Sequence, residues 1–253
     1  MNNYEKLEGM VAATFTPLDE NGDVNLSVID KYADWIASTP IKGVFVCGTT
    51  GEFSSLTIDE RKLILEKWLV SARKRFKVIA HVGSNCQRSA MELARHAAQV
   101  GADAIASIAP SFFKPGTVDE LVDFFAPICH SAAGLPFYYY NMPSITGVNL
   151  PVDKFLVEGK KKIPNLVGTK FTHNNLMEMG VCIELEQHRF EVLHGYDEIL
   201  ISGLAMGAVA GVGSTYNYIP NVYQAIFDSM KMNDLETARH NQIKSIRTVE
   251  VCL

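Results

Sequence analysis

Asn165-Leu166-Val167-Gly168-Thr169-Lys170-Phe171-Thr172 has the composition of a buried parallel strand, with two small residues making room beside a lysine. Seven further short runs share that character: residues 11–15, 44–47, 78–82, 104–109, 137–140, 190–194 and 208–212. Most are followed by a stretch of helical periodicity, at about 26–37, 89–100, 118–130, 175–185 and 222–230. Between the second and third runs, Thr57 and Glu60 form a capping-box pattern ahead of Leu63, Ile64, Trp68 and Leu69, which share one helical face. Strand and helix alternate from end to end. Eight strands without a composition break favour a (β/α)8 TIM barrel over an open doubly wound sheet. No Gly-x-Gly-x-x-Gly follows the first strand, which weakens a dinucleotide-binding reading. Past Met232 the pattern changes to one more helix, residues 234–251, outside the barrel repeat. The expected division is therefore a barrel over 1–232 and a helical extension over 233–253.

Lys170 asks for a reason. Withdrawing an ammonium from water is costly, so burial raises the fraction of free amine able to attack a carbonyl and form an imine. The alternative is an amine that snorkels to solvent from the strand end, and the strand alone leaves both open.

Composition narrows the partners. A chain of 253 residues, 47% hydrophobic and 20% charged, can bury one large core. A formal charge of −5 without long runs of either sign argues against nucleic-acid binding. The opening residues, Met1 to Glu8, lack an apolar signal-peptide core, and no stretch has the length of a membrane span, so a cytoplasmic protein is expected. Five dispersed cysteines (Cys47, Cys86, Cys129, Cys182, Cys252) without Cys-x-x-Cys spacing suggest reduced thiols rather than disulfides or zinc ligands. His81 and His194 fall in apolar runs and are expected as core imidazoles, so no metal site is expected.

In such a barrel, reactive groups gather at C-terminal strand tips. Gly48-Thr49-Thr50-Gly51-Glu52 follows the second run, where glycines and two hydroxyls suit a carboxylate or phosphate, or form only a polar turn. Tyr140 ends the fifth run; alternation puts it on one face with Tyr138 and leaves Tyr139 on the other, and its phenol could relay a proton or simply pack. Lys170 and Thr172 share a face by the same rule. Gly195-Tyr196-Asp197-Glu198 closes the seventh run, with carboxylates able to bind hydroxyls; helix capping is the default for Asp197. Gly211-Val212-Gly213-Ser214-Thr215 closes the eighth and suits an anion, which keeps a pyridoxal phosphate enzyme in play.

These motifs together resemble the N-acetylneuraminate lyase and dihydrodipicolinate synthase family of class I aldolases. The resemblance rests on residues 43–53, Gly-Val-Phe-Val-Cys-Gly-Thr-Thr-Gly-Glu-Phe, with Glu60 beyond, and on Tyr140-Asn141-Met142-Pro143 ahead of Lys170. It implies reversible cleavage of N-acetylneuraminate (sialic acid) to N-acetylmannosamine and pyruvate, with no metal or organic cofactor. Lys170 is then the imine lysine, Tyr140 the proton relay, and Thr49 and Thr50 the carboxylate ligands. Thr172, Gly195, Asp197, Glu198 and Ser214 are implied to contact the sugar portion. A homotetramer is implied as well. The other expectations are a dihydrodipicolinate synthase or another pyruvate-dependent sugar-acid aldolase, or a catalytically silent form that binds ligand or full-length subunits. Two departures stand out. Ser111-Phe112-Phe113-Lys114 offers no phenol where several relatives carry an interfacial tyrosine, and the family's C-terminal helical module is represented by its first helix only, which is expected to lower stability and activity.

Overall fold

The computed structural model describes residues 4–132 and 134–252; Met1 to Asn3, Ala133, Leu253 and the side chain of Cys252 lie outside them. The eight expected strands are all present: β1 (Gly9–Ala13), β2 (Gly43–Val46), β3 (Lys77–His81), β4 (Ala104–Ile108), β5 (Phe137–Asn141), β6 (Leu166–Phe171), β7 (Glu191–His194) and β8 (Ala210–Gly213). They close in sequence order into a barrel, with β8 returning to pair in parallel with β1 through Met10 opposite Gly211 and Val11 opposite Val212. A (β/α)8 barrel is therefore the fold.

The helices are α1 (Val28–Ala37), α2 (Ile58–Ala72), α3 (Gln87–Val100), α4 (Val118–Ser131), α5 (Pro143–Thr146), α6 (Val152–Lys162), α7 (Leu176–Glu184), α8 (Leu200–Ala205), α9 (Pro220–Lys231) and α10 (Leu235–Cys252). α2 opens on the expected capping box: Thr57 Oγ1 accepts from Glu60 N–H at 3.3 Å, and Glu60 Oε2 accepts from Thr57 N–H at 2.7 Å. Three helices go beyond those expected from the sequence. α5 and α8 are too short to show a period, whereas α6 carries one that sequence reasoning missed, with Val152, Phe155, Leu156 and Gly159 on one buried face ahead of Lys160-Lys161-Lys162. No helix among the described residues is long and apolar enough to cross a membrane.

Alternation along the strands divides the interior into two cores. Outside the sheet, Trp68, Phe125, Phe155 and Tyr223 pack beneath the helices. Inside it, Val11, Phe45, Ile79, Ala106, Tyr138, Tyr140, Leu193 and Val212 fill the barrel. The lower layer is polar at its centre. Tyr138 OH donates to Glu191 Oε2 at 2.7 Å, Leu7 N–H donates to Glu191 Oε1 at 2.6 Å, and the Tyr4 and Tyr138 hydroxyls lie 2.5 Å apart. Burial raises the Glu191 carboxyl above its ordinary range, and these donors pull it back. Gly168 belongs to the same layer, between Tyr138 and Glu191, and a Cβ there would overlap the Glu191 carbonyl.

Both strand histidines are buried, as expected of core imidazoles. His194 lies against Gly203 of α8, and desolvation lowers it from 6.5 to about 4. Between those values the unfolded chain binds a proton that the folded chain refuses. The stability from neutral His194 is thus complete above pH 6.5 and is lost as pH falls toward 4, roughly 3 kcal/mol in all. Urea titrations across this window should show stability dropping with acid, with a slope shallower by about one proton in His194→Gln. Equal slopes in the two proteins would contradict the assignment.

Candidate active site

Strand register brings the two most reactive side chains together. Tyr140 on β5 is paired opposite Lys170 on β6, one inward-facing layer above Tyr138 and Gly168. Lys170 is only 4% exposed, so its amine does not snorkel free. Its Nζ lies 4.0 Å from the centroid of the Tyr140 ring and 4.5 Å from that of Phe45. Among the described residues, no carboxylate forms an ion pair with it. The amine faces a cavity of about 450 Å³ at the C-terminal mouth of the barrel. All nine residues expected in the site line this cavity: Lys170, Tyr140, Thr49, Thr50, Thr172, Gly195, Asp197, Glu198 and Ser214.

The Thr49 hydroxyl lies 3.1 Å from Tyr140 OH, which also approaches Met142 Sδ at 3.1 Å. One side chain of the β2 loop thus touches the phenol next to the lysine. The loop is tightly wound. Cys47 and Glu52 bracket it with φ of 54° each, a left-handed conformation uncommon for residues other than glycine. Glu52 N–H donates to Thr49 O at 3.0 Å, and Thr16 Oγ1 donates to Gly51 O at 2.7 Å. A Cβ at Gly48 would stand 2.7 Å from the Phe45 ring, so glycine lets the chain cross directly above the aromatic that borders the amine. Behind Tyr140 stands His81, edge-on at 5.8 Å and held neutral by burial, with the Arg61 guanidinium adding to the effect. His81 Nδ1 lies 2.8 Å from Cys47 O, and Ile108 N–H donates to Nε2 at 3.3 Å. The imidazole packs behind Tyr140, outside the cavity lining.

On the opposite side the cavity is polar. The Thr172 hydroxyl is buried without a protein partner. A buried hydroxyl left so costs free energy unless a ligand or water completes it. Gly195 is needed beside it, since a Cβ there would overlap Thr172 Oγ1. Helix capping, the default for Asp197, is not what its carboxylate does. Asp197 Oδ2 instead accepts from Thr215 N–H at 2.8 Å, Thr215 Oγ1 at 2.7 Å and Ser214 Oγ at 3.5 Å, joining the β7 turn to the β8 loop. The reason is space: Gly213 leaves room where a Cβ would collide with the carboxylate. Burial raises the Asp197 carboxyl, partly offset by the Thr215 donors. Glu198, half-buried, is the second carboxylate in the wall.

In the wall and in the barrel core beneath it stand residues that sequence reasoning missed. Phe45 shares the inward face of the barrel with the lysine, a parity the sequence already contained. Tyr218 and Val249 line the cavity and only the folded chain brings them there, whereas Thr215 lines it from the loop the sequence had already singled out after the eighth run. Phe112 and Phe113 are both exposed, stacked edge-on at 5.0 Å, and no phenol stands in their place. Thr215 Oγ1 also hydrogen-bonds Tyr223 OH. Thr215→Val should therefore take one of three donors from the buried Asp197 carboxylate, along with the partner of Tyr223 OH, and destabilise the fold by about 1–3 kcal/mol in urea denaturation; an unchanged midpoint would count against this network.

Known proteins are similar to this chain in sequence and fold. N-acetylneuraminate lyase of Gallus gallus is 44% identical over 245 residues, covering 96% of this chain and 80% of that protein. That of Mus musculus is 42% identical over 248 residues, covering 97% and 78%. Among solved structures, Proteus mirabilis N-acetylneuraminate lyase superposes with a TM-score of 0.95 at 36% identity, covering 98% of this chain and 83% of that one. The sequence profile of the Dihydrodipicolinate synthetase family matches residues 6–251, and with the barrel and the lysine-bearing cavity in place, this chain belongs to that family.

Proposed function

We propose that the chain is a class I aldolase that reversibly cleaves N-acetylneuraminate to N-acetylmannosamine and pyruvate through an imine on Lys170. The observation that carries this reading is a buried amine at the floor of the cavity, 4.0 Å from the ring of Tyr140, with hydroxyls on one side and carboxylates on the other. Lys170 attacks the ketone carbon of the open-chain sugar acid, and loss of water leaves a protonated iminium. This cation draws the electron pair of the bond between the α and β carbons as it breaks, giving an enamine and the aldehyde of the amino sugar. The enamine then takes a proton at carbon, and hydrolysis releases pyruvate and the free amine.

Thr49 and Thr50 hold the pyruvyl carboxylate through hydroxyls and backbone amides in this scheme. Tyr140 OH relays the proton of the hydroxyl whose carbon becomes the aldehyde, giving up its own phenolic proton as it takes that one so that a proton reaches the enamine carbon, and Thr49, 3.1 Å away, orients it. Thr172, Gly195, Asp197, Glu198 and Ser214 receive the hydroxyls and N-acetyl arm, the orphaned Thr172 hydroxyl gaining its missing partner. We further read residues 1–232 as the barrel domain and 233–253 as the first helix of a C-terminal helical module, and the protein as a cytoplasmic homotetramer. Identities of 41–44% to the curated N-acetylneuraminate lyases favour this substrate; among solved structures the N-acetylneuraminate lyases of Proteus mirabilis and Aliivibrio salmonicida are 36–38% identical, with dihydrodipicolinate synthases at 26–31% and Ruminococcus gnavus sialic acid aldolase at 28–29%.

Borohydride reduction in the presence of pyruvate should fix an adduct on Lys170, located by peptide mass spectrometry; folded protein unmodified at that residue would reject the imine. Incubation with N-acetylneuraminate or aspartate semialdehyde decides the acceptor, with turnover expected for the former. Tyr140→Phe should lower kcat by about 10²–10⁴-fold while pyruvate trapping persists. A Phe variant as fast as the parent would remove Tyr140 from the proton path.

A further inference from the structure

The buried face of α10 is polar. Asn241, Gln242 and Ser245 are all buried there, with Ala238 a turn before and Val249 a turn beyond. A helix at the edge of a domain ordinarily turns an apolar stripe inward, and three buried amide and hydroxyl side chains need partners to compensate their lost hydration. Gln242 finds them in the turn that bears the two pocket carboxylates. Its Nε2 donates to Asp197 O at 2.9 Å, and its Oε1 accepts from Ile201 N–H at 2.8 Å. One side-chain amide thus clips both ends of the segment running from Asp197 through Glu198 into α8. Ser245 orients that amide: its Oγ accepts from Gln242 Nε2 at 2.6 Å and donates to Gln242 O at 2.8 Å. Further along the same face, Val249 reaches the cavity itself.

The Asp197 turn is held from two directions. Its carboxylate is tied to Thr215 on the barrel side, and its backbone is tied to Gln242 on the α10 side. None of these contacts involves Lys170, Tyr140 or the Thr49 loop. We propose that α10 belongs to the acceptor-recognition half of the site, with Gln242 a positioning residue that sets affinity for the polyhydroxylated end of the substrate while leaving imine formation untouched. This rests on the aldolase reading above and adds to it a division of labour. The short turn Asp197–Ile199 and the six-residue α8 have little internal hydrogen bonding to fix them. Without the clip, Asp197 and Glu198 would sample orientations that no longer match the sugar hydroxyls, and binding would pay the ordering entropy on each encounter.

Gln242→Met keeps the length and volume of the side chain but removes both hydrogen bonds. In the full chain it should raise KM for N-acetylneuraminate about tenfold with kcat changed less than about threefold. The pyruvate dependence of borohydride trapping at Lys170 should match the parent. Ser245→Ala, a smaller change that removes the orienting hydroxyl, should shift KM in the same direction by about threefold and serves if the first variant fails to fold. Unchanged KM in both variants overturns the proposal, as does a parallel fall in trapping and turnover, which would mark α10 as general scaffolding. A parent protein that traps no pyruvate defeats the aldolase reading and this proposal with it. A parent that traps and cleaves while the variants keep its KM defeats the proposal alone.

Discussion

Closure of the eight-stranded barrel in strict parallel register is the constraint on which everything else depends. It pairs Tyr140 with Lys170 across β5 and β6 and points both inward, one layer above the Tyr138–Gly168–Glu191 level. A single-residue slip of β6 would turn Lys170 toward the helices and bring Thr169 into the cavity. The slip is opposed by packing at the level below, where Gly168 alone fits against the Glu191 backbone and the Glu191 carboxylate is tied to Tyr138 and Leu7. The hydrogen bonds of the polar lower layer thus fix the register that aims the amine.

Above that layer the site divides into two halves with different physical character. On the Lys170 side stand aromatic rings, Phe45 and Tyr140, and a neutral His81, surfaces that exclude water from an amine without pairing it to an anion. Opposite lie hydroxyls and carboxylates, one of them the unsatisfied Thr172 hydroxyl. A neutral amine able to form an imine on the first half needs a low-polarity surround and a nearby proton relay, whereas a sugar needs hydrogen-bond partners. The barrel supplies each from different strands, β2, β5 and β6 for the first and the β6, β7 and β8 loops for the second.

Glycines permit the two halves to approach. Gly48 lets the Thr49–Thr50 loop pass over Phe45, Gly195 gives space to Thr172, and Gly213 gives space to the Asp197 carboxylate. Each stands where a methyl group would displace a side chain of the cavity wall. The motifs Gly-Thr-Thr-Gly, Gly-Tyr-Asp-Glu and Gly-x-Gly-Ser-Thr are therefore records of close packing at the barrel mouth as much as of ligand contact.

Much of this was legible in the chain itself. Short apolar runs alternating with amphipathic stretches identify a parallel α/β sheet, and eight of them favour a barrel, because strands covered on both faces must be apolar throughout while helices covered on one face must be periodic. Period-two alternation put Tyr138 with Tyr140 and Lys170 with Thr172, and those pairings stand. Three things depended on the fold. The carboxylate of Asp197 reaches across to Thr215 rather than capping a helix, the amide of Gln242 joins a helix to a turn 45 residues earlier, and Val249 arrives at the cavity from the far end of α10. Local pattern determines which residues form strands and which way they face, since both follow from bonds between near neighbours. Contacts between side chains distant in sequence are decided only when the barrel closes and sets the distance between its loops.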